Sequence, residues 1–427
     1  MSADDHAAGQ PPARASEAGL RILHVDKFLR RQGGAAGYML DVAQRQRDQG
    51  HRVEFFAMDH PDNQPATYSH LFPRHVQTDP APTSLRGRLD TTATMLWSGR
   101  AAKAMAAVAD EFRPDVVHVH NIYHQLSPSI LRPLAKRGVP VVMTVHDYKP
   151  VCPSYRMLDG DGPCEACVGG RFWEAPKRRC KDGSLGASAV LAVESALHRW
   201  SRAYGPIRRF ISPSRFLAAM LERGLLWPDR VRQLNNFVDA AGIAPRQGAG
   251  EGFVSIGRLS GEKGVDTAIR AVAATPTATL TVAGDGPARA HLEALAAELA
   301  PDRVRFVGHV TPAQVVELNR GARAAILAAR WYENMPLSVL ETLAAAVPMI
   351  VTDLGGLPEL VEDGVDGLVV PADDPAALAA ALSRLQADPS LSGRLGAAGR
   401  RRMLTHHDPD RHLAELVSIY AEVLDGR

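Results

Sequence analysis

With 427 residues, the chain is too long for one ordinary domain and long enough for two. Its hydrophobic fraction of 45% and charged fraction of 22% are typical of a globular protein, which excludes a disordered chain. No apolar run approaches the ~20 residues of a membrane span, and no basic run with interleaved aromatic residues indicates nucleic-acid binding.

The charge differs between the two halves of the chain. Residues 1–240 hold 32 Lys and Arg against 24 Asp and Glu, a net charge of +8, whereas the remaining residues hold 17 against 23, a net charge of −6. This asymmetry favours an anionic partner for the first half, such as an anionic membrane surface. The alternative is a random fluctuation of solvated surface charge.

The N-terminal segment, residues 1–19, has no basic stretch followed by an apolar one. It therefore predicts a disordered tail on a cytoplasmic protein. After it, short apolar runs alternate with helical patterns. Continuous apolar runs predict buried strands of a parallel sheet. The first half has six such runs: 21–25, 52–57, 115–120, 140–146, 208–212 and 230–234.

A glycine-rich loop, G-G-A-A-G at 33–37, separates the first strand from a helix. Glycines let a backbone approach a ligand closely. The loop has no G-x-G-x-x-G pattern, and Phe55 and Phe56 stand where a dinucleotide-binding fold often has an acidic residue. The sequence therefore disfavours NAD binding.

Residues 148–183 form a long connection between the strand at 140–146 and a helix near 184–200. It contains all four cysteines of the chain within 29 residues: Cys152, Cys164, Cys167 and Cys180. A C-x-x-C pair between two outlying cysteines predicts a structural zinc site with four thiolate ligands, because disulfides are not expected in a reducing cytoplasm. The alternative is a set of small buried apolar side chains without metal.

The alternation of strands and helices loosens at 235–251, which predicts a boundary between domains at 20–240 and 241–408. The pattern at 409–427 predicts a last helix. This helix either stays with the second domain or crosses back to the first. The second half contains six further strand-like runs: 253–258, 278–284, 304–310, 324–329, 349–354 and 367–371.

Two loops of the second half carry features suited to a phosphorylated ligand. Arg258 and Lys263 lie on a glycine-bearing turn after a strand, where a planar guanidinium and a mobile ammonium suit a diphosphate. The alternative is a solvated loop.

The segment W-Y-E-N-M-P-L-S-V-L-E at 331–341 follows another strand. Pro336 fits the first position of a helix, whose amides would form an anion site. Glu333 can then reach a sugar and Glu341 a ribose diol. The alternative is a core helix with two incidental glutamates.

These strings together resemble the retaining glycosyltransferases of family 4, of the group 1 type. The second-half motifs are G-R-L-x-x-x-K-G, V-A-G-D-G-P, F-V-G-H-V, E-N-M-P-L-S-V-L-E and T-D-L-G-G-L-P-E-L-V. The first-half motifs are H-V-D-K, R-x-G-G-A, D-V-V-H-V-H-N, T-V-H-D-Y and I-S-P-S-R-F. The resemblance implies the GT-B fold, in which two Rossmann-like α/β domains with parallel sheets face a central cleft.

The resemblance also implies a role for each matching residue. The donor nucleotide sugar would be bound by residues of both domains: Gly33, Gly34, Arg258, Lys263, His309, Glu333, Asn334, Met335, Pro336, Leu337 and Glu341. Residues with catalytic roles would be His120, His146, Asp147, Arg258, Lys263 and Glu333. Such proteins often carry Glu-Arg after G-G-A, whereas this chain has Ala36 and Gly37. The chain therefore lacks the glutamate that would take part in acceptor or phosphate binding at this point.

The expected activity is transfer of a sugar from a nucleoside diphosphate sugar to a hydroxyl of a glycan or glycolipid. We also expect the reaction to retain the anomeric configuration and the protein to act in cell-surface polysaccharide biosynthesis. No catalytic metal is expected, because no D-x-D motif lies near the donor loops. Two alternatives are a GT-B nucleotide-sugar epimerase and a non-catalytic nucleotide-sugar-binding protein. The sequence does not determine the sugar, the base or the acceptor.

Overall fold

The computed structural model describes residues 19–31, 33–76, 84–160 and 162–426. Within them the chain forms two α/β units, each built on a six-stranded parallel sheet. This confirms the predicted fold class, and every predicted strand overlaps an observed one. Residues 1–18 of the predicted tail lie outside the described residues.

The first unit has the strand order β2-β1-β3-β4-β7-β8. Its strands are β1 (Arg21–Val25), β2 (Arg52–Phe56), β3 (Val116–Val119), β4 (Val141–Thr144), β7 (Ile207–Ser212) and β8 (Val231–Gln233), and a hairpin of β5 (Leu158–Asp159) and β6 (Gly162–Pro163) stands apart from the sheet. Its helices are α1 (Gly33–Asp48), α2 (Leu85–Leu96), α3 (Gly99–Phe112), α4 (Leu131–Lys136), α5 (Glu174–Lys177), α6 (Leu185–Trp200) and α7 (Arg215–Gly224).

The second unit has the strand order β11-β10-β9-β12-β13-β14. Its strands are β9 (Phe253–Ile256), β10 (Leu280–Ala283), β11 (Val304–Gly308), β12 (Ala324–Leu327), β13 (Met349–Thr352) and β14 (Gly367–Val370). Its helices are α8 (Val265–Ala274), α9 (Arg289–Leu299), α10 (Pro312–Gly321), α11 (Leu337–Ala344), α12 (Leu357–Leu360), α13 (Pro375–Ala387) and α14 (Pro389–His406), and a final helix follows, α15 (Pro409–Leu424).

Each sheet has one point where the chain reverses the direction in which it adds strands. In the first sheet that point lies between β1 and β3, and in the second it lies between β9 and β12. The loops that leave two such neighbouring strands diverge to opposite faces, which opens a crevice at their carboxyl ends. Residues 33–37, which were predicted to form a loop, instead form the first turns of α1. The start of this helix and the loops after β9 and β12 therefore border these two crevices.

The last helix, α15, returns to the first unit and packs against α1 and β7. Its Tyr420 is completely buried and hydrogen-bonds to Gln46 of α1 at 3.1 Å and to His118 of β3 at 2.7 Å. Its His412 lies 2.9 Å from the hydroxyl of Tyr38. The first unit thus takes part of its core from the end of the chain.

Residues 148–183 have more local structure than the sequence predicts. They contain the β5–β6 hairpin and the short helix α5. A buried ion pair fastens the start of the segment to α6, because Lys149 Nζ lies 2.7 Å from Glu194 Oε2. Burial alone would raise the pKa of Glu194, but Lys149 and His124 lower it to about 2. Among the described residues, no helix combines the length and the apolar character needed to cross a membrane.

Candidate active site between the two sheets

Glycines bring the donor-side loops of the second sheet into backbone contact. A Cβ on Gly284, after β10, would lie 1.9 Å from the carbonyl oxygen of Gly257, after β9. A Cβ on Gly286 would lie 2.3 Å from the carbonyl oxygen of Leu259. The motifs G-R-L and V-A-G-D-G-P therefore lie directly beside each other, and no residue larger than glycine fits at these two positions. The amide of Gly284 also donates to Gly308, which places His309 at the same edge.

The two loops at the second switch point meet through one buried carboxylate. Glu333 Oε1 accepts hydrogen bonds from Lys263 Nζ at 2.6 Å and from the indole Nε1 of Trp331 at 2.8 Å. The Lys263 ammonium also lies 5.3 Å from the centre of the Trp331 ring. The predicted sugar-binding and diphosphate-binding side chains are therefore paired with each other. Trp331 is a site residue that the sequence analysis did not single out, although it begins the motif.

Arg258 and Lys263 differ in their surroundings. Arg258 is exposed, and its side chain has no ion pair or hydrogen bond among the residues that the structure describes. Lys263 is three-quarters buried and committed to Glu333. Arg258 is thus the cation that an incoming anion meets without displacing a protein contact.

The segment 331–336 also bridges the two units. Asn334 Oδ1 accepts from the hydroxyl of Ser214 at 2.6 Å, and its Nδ2 donates to the carbonyl oxygen of His146 at 3.4 Å. Glu359 of α12 accepts from the amides of Arg215 and Phe216 at 2.8 and 2.7 Å. A carboxylate of the second unit therefore caps helix α7 of the first, where it meets the positive end of the helix dipole.

The structure corrects the predicted position of Pro336. The sequence analysis placed it at the first position of the helix, but α11 begins at Leu337 and Pro336 is the preceding cap residue, with an extended ψ of 123°. Residues 334–337, which lead into this helix start, line the cavity between the units. The anion site expected at the helix start is therefore displaced by one residue.

Most of the predicted residues line one cavity of about 220 Å³ between the units. It is bordered by Gly34, His146, Asp147, Glu333, Asn334, Met335, Pro336 and Leu337. Glu341 instead lines a neighbouring cavity of about 540 Å³, which shares Leu337 with the first. Desolvation at this interface raises the pKa of Glu341, and Asp41 adds to the rise while Arg31 opposes it. Gly33, which has φ +74°, precedes Gly34 at the cavity edge.

His146 reaches the cleft and His120 does not. We expected both histidines to face the sugar, but His120 is completely buried and both of its ring nitrogens are hydrogen-bonded, to His24 and His146. The reason is that His120 directly follows β3 and its amide still donates to the carbonyl oxygen of Val25 in β1, whereas His146 lies two residues beyond the end of β4. His146 follows β4 and is half-buried, and burial lowers its pKa to about 3.

Asp147 lies beside His146 on the cavity wall and accepts from the amide of Lys149 at 2.9 Å. Burial raises the pKa of this carboxyl, and the amide bond and the charges of Lys27 and Lys149 oppose the rise. Asp26, at the end of β1, is a second acid that the sequence analysis missed. Burial raises its pKa to about 7, and its Oδ2 has no hydrogen-bond partner among the described residues.

Two residues that do line the cavity were also missed. Asn236, at the start of the linker, donates to the carbonyl oxygen of Met335 at 3.0 Å. Tyr155 comes from the cysteine segment and has φ +57°, a conformation that is costly for an aromatic residue. The H-V-D-K and N-N-F strings contain Asp26 and Asn236, but nothing in their spacing indicates a site.

The four cysteines converge in one region of the first unit. Burial raises the pKa of Cys167 to about 12, and the thiols of Cys152, Cys180 and Cys164 add to the rise. Cys167 and Cys180 pack around Phe172 and Ala192. No three of the four sulfur atoms lie within 4.8 Å of one another, so the thiols are neighbours but do not form a closed metal cage.

Among the described residues, one group of side chains has the separation of metal ligands: His24, His118 and His120. Both ring nitrogens of each histidine already have hydrogen-bond partners: His24 with Gln46 and His120, His118 with Tyr420 and Thr144, and His120 with His24 and His146. A neutral imidazole has one donor and one acceptor nitrogen, so no lone pair is left for an ion. This group is a hydrogen-bonded network.

Comparison with known protein families gives two adjacent matches. Residues 32–241 match the model of "Glycosyltransferase Family 4", and residues 245–402 match the model of "Glycosyl transferases group 1". A glycogen synthase of Mycobacterium tuberculosis is 32% identical over 310 residues, which cover 70% of this chain and 66% of that relative. The chain thus spans slightly less than two thirds of that relative's length. A D-inositol 3-phosphate glycosyltransferase of Acidothermus cellulolyticus is 28% identical over 342 residues, covering 73% of this chain and 68% of the relative.

Solved structures share the architecture at low sequence identity. A sucrose-phosphate synthase from Thermosynechococcus elongatus superimposes with a TM-score of 0.71 at 20% identity, covering 95% of this chain and 99% of its own. Anabaena Alr3699/HepE in complex with UDP-glucose superimposes with a TM-score of 0.64 at 17% identity, covering 96% of this chain and 100% of its own. These likenesses confirm the GT-B fold.

The close approach of Gly356 to the donor loop gives a test of the site's geometry. A Cβ at Gly356 would lie 1.8 Å from the carbonyl oxygen of Asn334. Gly356→Ala should therefore displace the loop at 333–334 and lower kcat/KM by about 10²-fold, the usual effect of a misplacement near 1 Å. Gly393→Ala is the control, because a Cβ there meets nothing within 4 Å. Steady-state kinetics on both variants, with thermal unfolding to verify folding, check this; equal kcat/KM values would contradict it.

Proposed function

This chain belongs to glycosyltransferase family 4, with a group 1 glycosyl transferase domain in its second half, and on that premise we propose that it transfers a sugar from a nucleoside diphosphate sugar to a hydroxyl of a glycan or glycolipid. The observation that carries the proposal is the meeting of Lys263, Glu333 and the start of α11 at one switch point. A cation, a carboxylate and free helix amides within one cleft suit a sugar attached to a diphosphate.

The donor would span both cavities. The helix start and Arg258 favour the diphosphate, and Glu333 favours sugar hydroxyls, because a carboxylate accepts their hydrogen bonds. Glu341 in the adjoining cavity suits the ribose diol. Gly34 lies near Leu337 of the opposite unit, because a Cβ added to Gly34 would lie 3.9 Å from the Leu337 side chain, so the first unit would cover the donor.

We propose a reaction that retains the anomeric configuration. The bond between the anomeric carbon and the diphosphate oxygen breaks, and the acceptor oxygen attacks from the same face. The leaving diphosphate takes the acceptor proton, so no side-chain nucleophile is required. The protein then acts by holding both substrates in place and stabilising the charge on the leaving group. The contacts of Asn334 and Glu359 across the cleft support closure around the donor, which excludes water.

The two alternatives predict different outcomes in the same assay. A nucleotide-sugar epimerase would turn over the donor without any acceptor, and a non-catalytic binding protein would bind the donor without turnover. UDP-glucose is the first donor to test, because Alr3699/HepE was solved with it. A ligand at 100 times its Kd stabilises the folded protein by about 2.7 kcal/mol, so thermal unfolding with a panel of nucleotide sugars identifies the donor.

Arg258 is the sharpest probe of the proposed reaction. Arg258→Ala should lower kcat by about 10²- to 10³-fold, because it removes a charge that stabilises the leaving diphosphate. Lys263→Ala should have at least this effect, since it also leaves the buried Glu333 carboxylate without its ion pair. The matched control is Arg270→Ala, which removes an exposed arginine of α8. Unchanged kcat in Arg258→Ala would exclude this residue from the mechanism.

We propose that the acceptor is held at an anionic membrane surface, for which the first unit has a suitable face. Six large apolar side chains of this unit are exposed: Leu89, Trp97, Trp173, Leu185, Val193 and Trp200. They lie on or next to α2, α5 and α6, and both α2 and α5 pack against α6. Exposed arginines, such as Arg171 and Arg202, flank them. Aromatic and basic side chains together favour the interface of an anionic bilayer.

Vesicle binding tests this face. The protein should co-sediment with vesicles containing anionic phospholipid at low ionic strength and dissociate as salt rises, because exposed charges are screened within about 8 Å at physiological ionic strength. Trp173→Ser combined with Trp200→Ser should weaken binding. Leu404→Ser, an exposed apolar residue of α14 in the second unit, should not. Absence of binding at low salt would favour a soluble acceptor.

We propose that the cysteine segment holds one structural zinc ion through Cys152, Cys164, Cys167 and Cys180. Their convergence supports this, as does a contact that the segment makes. Glu165, between Cys164 and Cys167, accepts from the hydroxyl of Tyr332 at 3.3 Å. Tyr332 directly precedes Glu333, so an ion that orders the segment would also steady the donor loop. In the proposed site the four sulfur atoms would surround the ion in the tetrahedral arrangement that zinc requires.

Elemental analysis of protein purified without chelator should give one zinc per chain. Cys167→Ser should lose most of the metal and lower the unfolding temperature. Its control, Ser154→Ala, removes a hydroxyl 3.4 Å from the Cys152 sulfur but no proposed ligand. Negligible zinc together with four freely titrating thiols in the native protein would contradict the proposal.

A further inference from the structure

Backbone strain is concentrated in two segments of the first unit that lie side by side. Eleven of the described residues other than glycine have positive φ, and four of these lie within 124–127, after β3, and 155–157, in the cysteine segment. His124 (φ +63°) and Tyr155 (φ +57°) are the two with rings, and their ring centres are 6.2 Å apart. Positive φ is an outlier for a bulky residue. Such strain persists where the surroundings enforce it, and it clusters at sites that bind ligands.

The position of His124 is enforced by a buried ion pair. Glu194 is completely buried, and its Oε2 lies 2.7 Å from Lys149 Nζ while its Oε1 lies 3.0 Å from His124 Nδ1. Burial opposes the ionisation of Glu194, but Lys149 and His124 lower its pKa to about 2. The group is therefore a carboxylate, which can only accept hydrogen bonds. His124 must carry a proton on Nδ1.

The second ring nitrogen of His124 is left for a ligand. Burial lowers the pKa of His124 and the charge of Lys149 lowers it further, against the opposing charge of Glu194, so the ring is neutral. With the proton on Nδ1, Nε2 has a free lone pair. Nε2 has no hydrogen-bond partner in the part of the chain that the structure describes, and it is not one of the buried unpaired atoms there. The side chain is 17% exposed, so Nε2 can accept a hydrogen bond from outside the protein.

Tyr155 is fixed by its backbone and not by its hydroxyl. Its amide donates to the carbonyl oxygen of Cys152 at 2.9 Å, and its own carbonyl oxygen accepts from the amide of Tyr148 at 3.3 Å. The hydroxyl has no partner within the described ranges and is not one of their buried unpaired atoms. The side chain is half-buried and lines the cavity that it shares with Trp331 and Glu333 of the second unit.

We propose that His124 and Tyr155 form an acceptor subsite that binds a neutral sugar ring. The Tyr155 ring packs against C–H groups of the sugar, because the face of an aromatic ring carries partial negative charge. The Tyr155 hydroxyl and His124 Nε2 form hydrogen bonds with the hydroxyl groups of the sugar. Both residues belong to the first unit, whereas Glu333 and α11, proposed for the donor, belong to the second. The assignment of the bound sugar as the acceptor therefore rests on the proposed function.

This pair of groups selects a hydroxylated ring over an anion or an open-chain alcohol. A neutral imidazole nitrogen and a carboxylate or phosphate oxygen are both acceptors, so they repel each other. The enforced conformations of His124 and Tyr155 hold their polar atoms at a fixed separation. A rigid ring with hydroxyl groups at fixed spacing then loses less conformational freedom on binding than an open chain does. The acceptor would thus end in a sugar residue and not in a simple lipid alcohol.

Saturation-transfer NMR of the full-length protein, with and without UDP, tests the subsite. The probes are the methyl pyranosides of glucose, galactose, mannose, rhamnose and N-acetylglucosamine, with glycerol as the open-chain comparison. At least one pyranoside should bind the wild type, and glycerol should not. His124→Asn and Tyr155→Asn should each raise the Kd of that pyranoside about five- to ten-fold, because each removes a hydrogen bond to it. Asparagine tolerates positive φ, so Tyr155→Asn should unfold at or above the wild-type temperature, whereas loss of a purely structural tyrosine would lower it.

Arg179→Asn is the matched control, because Arg179 is exposed, lies in the same segment and has φ +49°. It relieves the same kind of strain away from the cavity and should leave pyranoside binding unchanged. Tyr155→Phe keeps the ring and should weaken binding less than Tyr155→Asn. No pyranoside binding to the wild type, equal binding of glycerol, or wild-type affinity in both asparagine variants of the subsite would overturn the proposal. Thermal unfolding with UDP-glucose reports on the donor site separately, so failure of the subsite and failure of the proposed function are distinguished.

Discussion

The stability of the first unit depends on hydrogen-bond partners for the imidazole rings that are buried in its sheet. His24, His118 and His120 lie on adjacent strands and are completely buried. A buried ring nitrogen without a partner costs on the order of 1–3 kcal/mol. Four of their six ring nitrogens are bonded to one another, to Thr144 or to His146, and Gln46 of α1 bonds to a fifth. Tyr420 of α15 bonds to the sixth, so the last helix completes these hydrogen bonds in addition to its apolar packing on the first unit.

The return of α15 brings the two chain connections between the units close together. The helix is reached through α14 of the second unit, and the linker passes beside it, with Asn235 and Asn236 accepting from His412 and His407. Both connections between the units therefore meet near the first residues of the linker. Movement of one unit against the other would pivot there, while the contacts of Asn334 and Glu359 at the cleft would open or close.

The cleft combines two kinds of charge with few flexible parts. Glu333 is held by an ammonium and an indole, and α11 presents backbone amides whose positions the helix fixes. Groups held in place before the substrate binds need no reorganisation when charge develops on a leaving group. The single exposed element of this arrangement is Arg258. A site of this kind suits the sugar transfer proposed for this chain, in which positioning and charge stabilisation replace a covalent intermediate.

The sequence alone determined the elements that depend on local pattern. Runs rich in apolar residues marked all twelve strands of the two sheets, because the central strands are buried on both faces. The motif glycines and the segment 331–341 indicated the proposed donor side, because close backbone approach and a helix start have local signatures. The spacing of the cysteines likewise indicated a cluster. Only the tertiary structure decided which of these groups meet.

The contacts that only the tertiary structure shows join residues far apart in the chain. His120 follows a strand end like His146, yet it is buried because its amide is still bonded to the neighbouring strand β1, whereas His146 lies two residues beyond β4. The pairing of Lys263 with Glu333 joins loops that the strand order, and not the sequence spacing, places side by side. Glu359 caps a helix 143 residues earlier in the chain.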